Sequence, residues 1–174
     1  MLEHYRNFPK IIHGAAYFSY KASSKKVQQT LVTTLYKLNK KKCKLDEIAY
    51  SSAPNCEVDF EFGVGEALNF TFLDSNELQS FEKKIARRTL PWIDLLCVLQ
   101  YHIIKFRKRS ALKFDYFILR FVFRRNSMDF LVSHERGPQH VYVKDLMKFL
   151  TEHFKRELAD LHSIALKLEK RYTV

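Results

Sequence analysis

Between residues 112 and 124 the chain alternates without leaving a polar face. Leu112, Phe114, Tyr116, Ile118, Arg120, Val122 and Arg124 fall on one side of an extended strand; Lys113, Asp115, Phe117, Leu119, Phe121 and Phe123 fall on the other. Aromatic and β-branched residues fit a pleated, buried surface. Both sides are apolar in the middle, so the pattern predicts a strand covered on both faces, the second by a helix, a loop or another subunit. A sheet wet on one side alternates more cleanly. Residues 124–127, RRNS, supply a turn. Phe130, Leu131 and Val132 return as the partner strand, residues 133–138 end it, and a short further strand fits 140–143.

The rest of the chain divides by the same reading. Residues 11–20 read as a strand of small and aromatic residues. Val27, Leu31, Leu35 and Leu38 recur at helical spacing over 25–39, with Ser23 or Ser24 as the cap. Residues 50–55, YSSAPN, read as a loop. At 56–62, Cys56, Val58, Phe60 and Phe62 alternate with Glu57, Asp59 and Glu61, and residues 63–66 then turn the chain into a partner strand over 67–73 carrying Leu68, Phe70 and Phe72 on one face. Asp74, with Glu77 three residues on, opens a helix whose buried stripe is Leu78, Phe81 and Ile85. Residues 92–106 admit two readings. Thr89 and Pro91 permit a helix start, while Ile93, Val98, Ile103 and Ile104 favour a strand, followed by a turn at 107–110. From about Lys144, residues Leu146, Phe149, Leu150, Phe154, Leu158, Leu161, Ala165, Leu168 and Tyr172 follow helical spacing, ending in a heptad-like seam. Unbroken, that helix spans roughly 40 Å, and its distal part reaches another subunit; a break near His162 and Ser163 gives two shorter helices instead.

The predicted order is β-α-β-β-α-β-β-β-α. It implies an α+β single domain over 1–174, divisible into sub-halves 1–88 and 89–174, with a mostly antiparallel sheet of about six strands, helices packed on one side and a long C-terminal helix. Fifteen Phe and nine Tyr supply a core. Four Gly and four Pro exclude Gly-rich phosphate loops and a turn-dense β-sandwich. Three separated cysteines, with no CxxC pair, point to a reducing compartment and away from a structural zinc site. The N-terminal MLEHYRNFPK has no signal-peptide core, and the apolar run 93–99 is too short to span a bilayer, so no membrane association and a cytoplasmic location are expected.

Charge changes this picture because it is segregated. Residues 21–44 hold eight Lys and no acid, residues 45–82 nine acids and no base, and residues 83–125 twelve bases against two acids; the net charge is +11. Such a field attracts polyanions, unless the acidic block neutralises a basic one within the fold. The four Lys of residues 40–44 suit a helix C-terminus.

Three constellations carry candidate chemistry. Arg107, Lys108, Arg109, Arg120, Arg124 and Arg125 are candidate nucleic-acid contacts, with Lys105 and Lys113 nearby and exposed aromatics to stack on bases. Glu57, Asp59 and Glu61 share one strand face, as candidate metal ligands for a nuclease-like phosphoryl transfer, or pair across the sheet with Arg120 and Arg124. His134, Glu135 and His140 form a polar cluster at a strand end, as candidate acid–base residues, although adjacent His and Glu point to opposite faces and no HExxH is present. Cys43 among lysines is a candidate for a lowered thiol pKa. No cofactor motif is present. The leading expectation is a non-enzymatic binding or adaptor domain, with DNA or RNA as partner and self-association through the C-terminal helix or the doubly apolar sheet. The alternatives are the metal-dependent enzyme and a structural subunit of a protein complex.

Overall fold

The computed structural model describes residues 4–39, 41–49 and 55–174. Its elements are β1 (Gly14–Tyr20), α1 (Ser24–Leu38), β2 (Lys42–Lys44), α2 (Leu45–Ile48), β3 (Cys56–Glu66), β4 (Asn69–Phe72), α3 (Ser75–Arg87), β5 (Trp92–Lys105), β6 (Lys108–Arg124), β7 (Ser127–Arg136), α4 (Val143–His162) and β8 (Leu166–Thr173). The strands form one antiparallel sheet in the order β2-β3-β5-β6-β7-β1-β8, with β4 paired to β3 off that path. The loop expected at 50–55 lies outside the described residues except for Asn55, which is a turn.

Alternation assigns the two faces of the sheet. Val58, Phe60 and Phe62 of β3, Ile93, Leu95, Cys97, Leu99 and Tyr101 of β5, Phe117, Leu119 and Phe121 of β6, and Phe130 and Val132 of β7 are buried in one core. The helices close over it. Ser23 caps α1 by accepting from the Lys26 amide, Asp74 caps α3 by accepting from the Glu77 amide, and Val27, Leu31, Leu35, Phe81 and Ile85 face inward. Phe60 stacks on Phe149 of α4 with ring centroids 5.3 Å apart.

The second face is crossed by residues 4–13, the loop solution among those the apolar strand allowed. The Tyr5 amide donates to Asp94 Oδ2 at 2.7 Å, the Arg6 amide to the Ala67 carbonyl at 2.8 Å, and the His13 amide to the Val132 carbonyl at 2.9 Å. Gly65 leaves room for the crossing, since a Cβ there would stand 3.1 Å from Asp94 and 3.4 Å from the Tyr5 Cβ.

Several boundaries differ from the sequence expectation. The strand of 92–105 settles the ambiguous segment. Its turn is Phe106 and Arg107, both with positive φ, rather than 107–110, so β6 begins at Lys108 and pairs it with Lys105. β3 runs through the expected 63–66 turn to Glu66, and the chain reverses at Ala67 and Leu68. Leu68 and Phe72 are exposed and Leu73 takes the buried place instead. No strand forms at 140–143. The C-terminal helix ends at His162, where Ser163 adopts φ 54° and caps it. Beyond it the chain is a strand, not a helix, because LKLEKRYT gives the free edge of β1 a partner. Of the residues at helical spacing, Leu146, Phe149, Leu150, Phe154 and Leu158 are buried against this chain's own core, while Leu161 and Tyr172 are exposed.

After β7 the chain turns at Gly137, with φ 122°, a conformation that favours glycine. A Cβ there would meet Asp115 Oδ1 and the Phe114 carbonyl. Gly137→Ala is therefore expected to destabilise the fold by about 2 kcal/mol, lowering Tm by roughly 4–8 °C for a chain of this size. An unchanged Tm in thermal unfolding would show that the turn is not fixed as described.

Candidate functional site

The β5–β6 hairpin extends past the rest of the sheet. The ladder between β6 and β7 stops at the Tyr116–Arg136 pair, so residues 108–113 have β5 on one side and no strand on the other. All six are exposed. At the tip, Phe106 is 99 % exposed. Lys105, Arg107 and Lys108 surround it, and among the described residues none of these three cations forms an ion pair. A two-residue turn with both φ positive is the geometry that matches the twist of its flanking strands, and Asn or Gly normally occupies it. Phe and Arg hold it here against their local preference, an observation that points to use of the tip.

A bulge decides what the base of the hairpin does. Gln100 pairs with Phe114 and His102 with Ala111, so Leu112 and Lys113 together stand against Tyr101. The extra residue exchanges the faces of the strand and turns Arg109 toward Glu57 and Asp59. Arg109 Nε donates to Glu57 Oε2 at 2.9 Å, and its Nη2 to Asp59 Oδ1 at 2.6 Å. The hydrogen bond to Asp59, with that to Glu57 behind it, raises the Arg109 pKa and holds the guanidinium charged. Lys42 and Lys44 of β2 stand in register with Asp59 and Glu57. His102 Nδ1 is buried without a hydrogen-bond partner, 3.7 Å from Asp59 Oδ2. Of the three carboxylates expected as metal ligands, two are thus occupied by Arg109 and Glu61 stands exposed. Among the described residues no group of three or more His, Cys, Asp or Glu is placed to hold a metal ion.

The other candidate arginines separate. Arg120 is committed to the sheet: Nε and Nη2 bind the two oxygens of the fully buried Asp94 at 2.6 and 2.7 Å, and its guanidinium lies 3.9 Å from the centre of the Phe8 ring. The pairing with Glu57, Asp59 or Glu61 entertained for Arg120 and Arg124 does not form. Asp94 and Asp129 take those places, and the hydrogen bond that Arg124 Nη1 donates to Asp129 raises the Arg124 pKa. Arg124 and Arg125 line a cleft of about 360 Å³ with Ser24, Gln28 and Leu90, at the end of β6 opposite the tip. The six basic candidates do not make one patch. Arg107, Lys108 and Arg109 lie at one end of β6 and Arg124 and Arg125 at the other, roughly 50 Å apart along the strand.

The His134 cluster is brought together with a residue that sequence reasoning passed over. Asp115, fully buried, accepts from Tyr101 Oη at 2.6 Å and from the Gln139 and His140 amides at 2.7 and 3.0 Å; His134 Nε2 lies 3.0 Å from it. Burial pushes the Tyr101 phenol well above its usual range, and the hydrogen bond to Asp115 adds to the rise. Glu135 points the other way and accepts from Ser133 Oγ at 2.9 Å. His13 Nδ1 accepts from the His134 amide on that side. The His140 ring packs edge-on against Tyr101. Every acceptor position of Asp115 is taken by this chain, so the cluster holds the loop after β7 to the sheet. The available signal was an acid inside an apolar strand, which needs buried donors; the same signal stood at Asp94.

The three cysteines are free and buried. Burial raises all three thiol pKa values, which corrects the expectation for Cys43: desolvation outweighs the nearby Lys41. Among the described residues no helix is long and apolar enough to cross a membrane.

Compared with protein-family models, curated proteins and solved structures, the chain matches none.

Two outcomes are expected. Arg120→Ala removes the bidentate partner of the buried Asp94 carboxylate and leaves it only the Tyr5 amide and His4; in denaturant titration it should lose about 3 kcal/mol of stability, and a loss under about 1 kcal/mol would mean that Asp94 is not dry. The thiols, held mostly protonated at neutral pH, should react with a disulfide reagent far more slowly in the folded protein than in denaturant. Prompt native-state reaction of one equivalent would contradict the burial.

Proposed function

We propose that this chain is a non-enzymatic nucleic-acid-binding domain and that the β5–β6 hairpin is its contact element. The observation that carries the reading is the tip: a fully exposed aromatic ring, held in an unfavourable backbone conformation, among cations that have no acidic partner. Exposed large apolar side chains are ordinary when scattered, but a lone phenylalanine at the far point of a basic β-ribbon fits insertion between bases or stacking on them. The acidic block supports the assignment by what it covers. It neutralises Arg109 at the hairpin's base and leaves Lys105, Arg107 and Lys108 to act outward. Self-association through the C-terminal helix remains part of the proposal only at its exposed positions such as Leu161, since Phe154 and Leu158 are buried in this chain's own core.

Fluorescence anisotropy with labelled DNA and RNA, titrated across salt, tests the reading. Binding should weaken with a linear fall of log affinity against log salt. The double variant R107E/K108E should lose about tenfold or more in affinity at fixed low salt, with Tm unchanged because neither side chain forms an ion pair among the described residues. Equal binding by the variant would remove the hairpin from the interface.

A further inference from the structure

Beside the free edge of β6, the open face of the sheet carries an aromatic pair that the tip does not use. Phe114 is 37 % exposed and lies next to Tyr116, ring centroids 6.1 Å apart. The Arg136 guanidinium covers Tyr116 at 4.2 Å from its centroid. Gln100 and Val98 of β5 stand in register with Phe114 and Tyr116. On the vacant edge strand Lys108 and Lys113 are both exposed; they leave from the face opposite Phe114, and their long side chains reach the aromatic pair round the unpaired edge. There, where no strand pairs with residues 108–113, alternate backbone amides point outward. The distance from Lys108 to Tyr116 is roughly 25 Å along the strand.

Resting on the reading above, we propose that the ligand is single-stranded, one base stacked on Phe114 and the next on the Arg136 guanidinium that covers Tyr116, with its phosphates directed to Lys108 and Lys113 round the edge of β6. Charge fixes this orientation. On the β3 side of the aromatic pair, Glu57 and Asp59 are balanced by Arg109 with Lys42 and Lys44 in register, and Glu61 is exposed, so that side holds no excess cation for phosphates, whereas Lys108 and Lys113 at the edge form no ion pair among the described residues. Bases carry no net charge and tolerate the acidic side, where Gln100 and Glu61 offer hydrogen bonds to their edges. A duplex hides its base faces and cannot use the pair.

The test compares a labelled 12-nucleotide single-stranded RNA with the 12-base-pair duplex of the same sequence and with poly-glutamate, at one low salt concentration. The single strand should bind about tenfold or more tightly than the duplex. Phe114→Leu, which keeps the apolar contact and removes the ring, should lose about tenfold for the single strand and nothing for the duplex. Phe114→Trp should retain binding, and thermal unfolding of both variants checks that the fold is kept. If single strand and duplex bind alike and F114L changes neither, while R107E/K108E still abolishes binding, the stacking site is overturned and the hairpin reading stands. If poly-glutamate competes as well as RNA, the surface answers to charge alone and the stacking site is likewise overturned. No binding of either nucleic acid at low salt overturns the hairpin reading and this inference together.

Discussion

The fully buried carboxylate of Asp115 is the constraint on which the middle of the structure depends. It sits at the point where β7 leaves β6. A charge taken out of water is costly unless its lone pairs are filled, and here they are filled from three directions: Tyr101 from β5, His134 from β7, and the two amides at 139 and 140. Those contacts fix where the loop turns toward α4. They also make the ladder end there. Above Asp115, β6 has neighbours on both sides; below it, the strand runs on beside β5 alone.

Charge follows the same logic of local closure. The sequence segregates its acids and bases in long blocks, and the fold lays parts of them side by side. Arg109 lies on Glu57 and Asp59, Arg120 on Asp94, Arg124 on Asp129 and Lys37 on Glu157. The exposed members of this set contribute little stability each; the Asp94 pair differs because its carboxylate is dry. What the pairing does more broadly is remove cations from the outward field. The net positive charge is then concentrated where no acid reaches, and the tip of the hairpin is one such place.

Alternation and helical spacing made six strands and three helices legible in the residues, including the caps at Ser23 and Asp74. They failed where a partner distant in sequence decides the outcome. Residues 166–173 continue the spacing of Leu158 and Leu161 well enough to read as helix, yet β1 needs a neighbour and takes them as a strand. The three residues of β2 carry no pattern of their own and exist by pairing with β3. The bulge at Leu112 and Lys113 is equally silent, and because it swaps faces, the pairing of Arg109 with Glu57 and Asp59 could not be read without the register. Asp94 and Asp115 were visible as acids in apolar strands. Their partners were not, since Arg120, Tyr5, Tyr101 and His134 are selected by the order of strands across the sheet.

That order has a consequence for how the chain reaches its native state. The strands β5, β6 and β7 are consecutive and close through two-residue turns, so their pairing costs little loop entropy. β1 is different: it lies between β7 and β8, with Gly14 opposite both Val132 and Thr173. It precedes both partners in the chain by more than a hundred residues, and β8 follows β7 only after α4. During synthesis the central meander can form while the first strand is still unpaired, and the sheet is completed only when the final eight-residue strand has left the ribosome. Long-range closures of this kind set the slow step of folding, and until β8 joins, the edge of β1 away from β7 stays open to other chains.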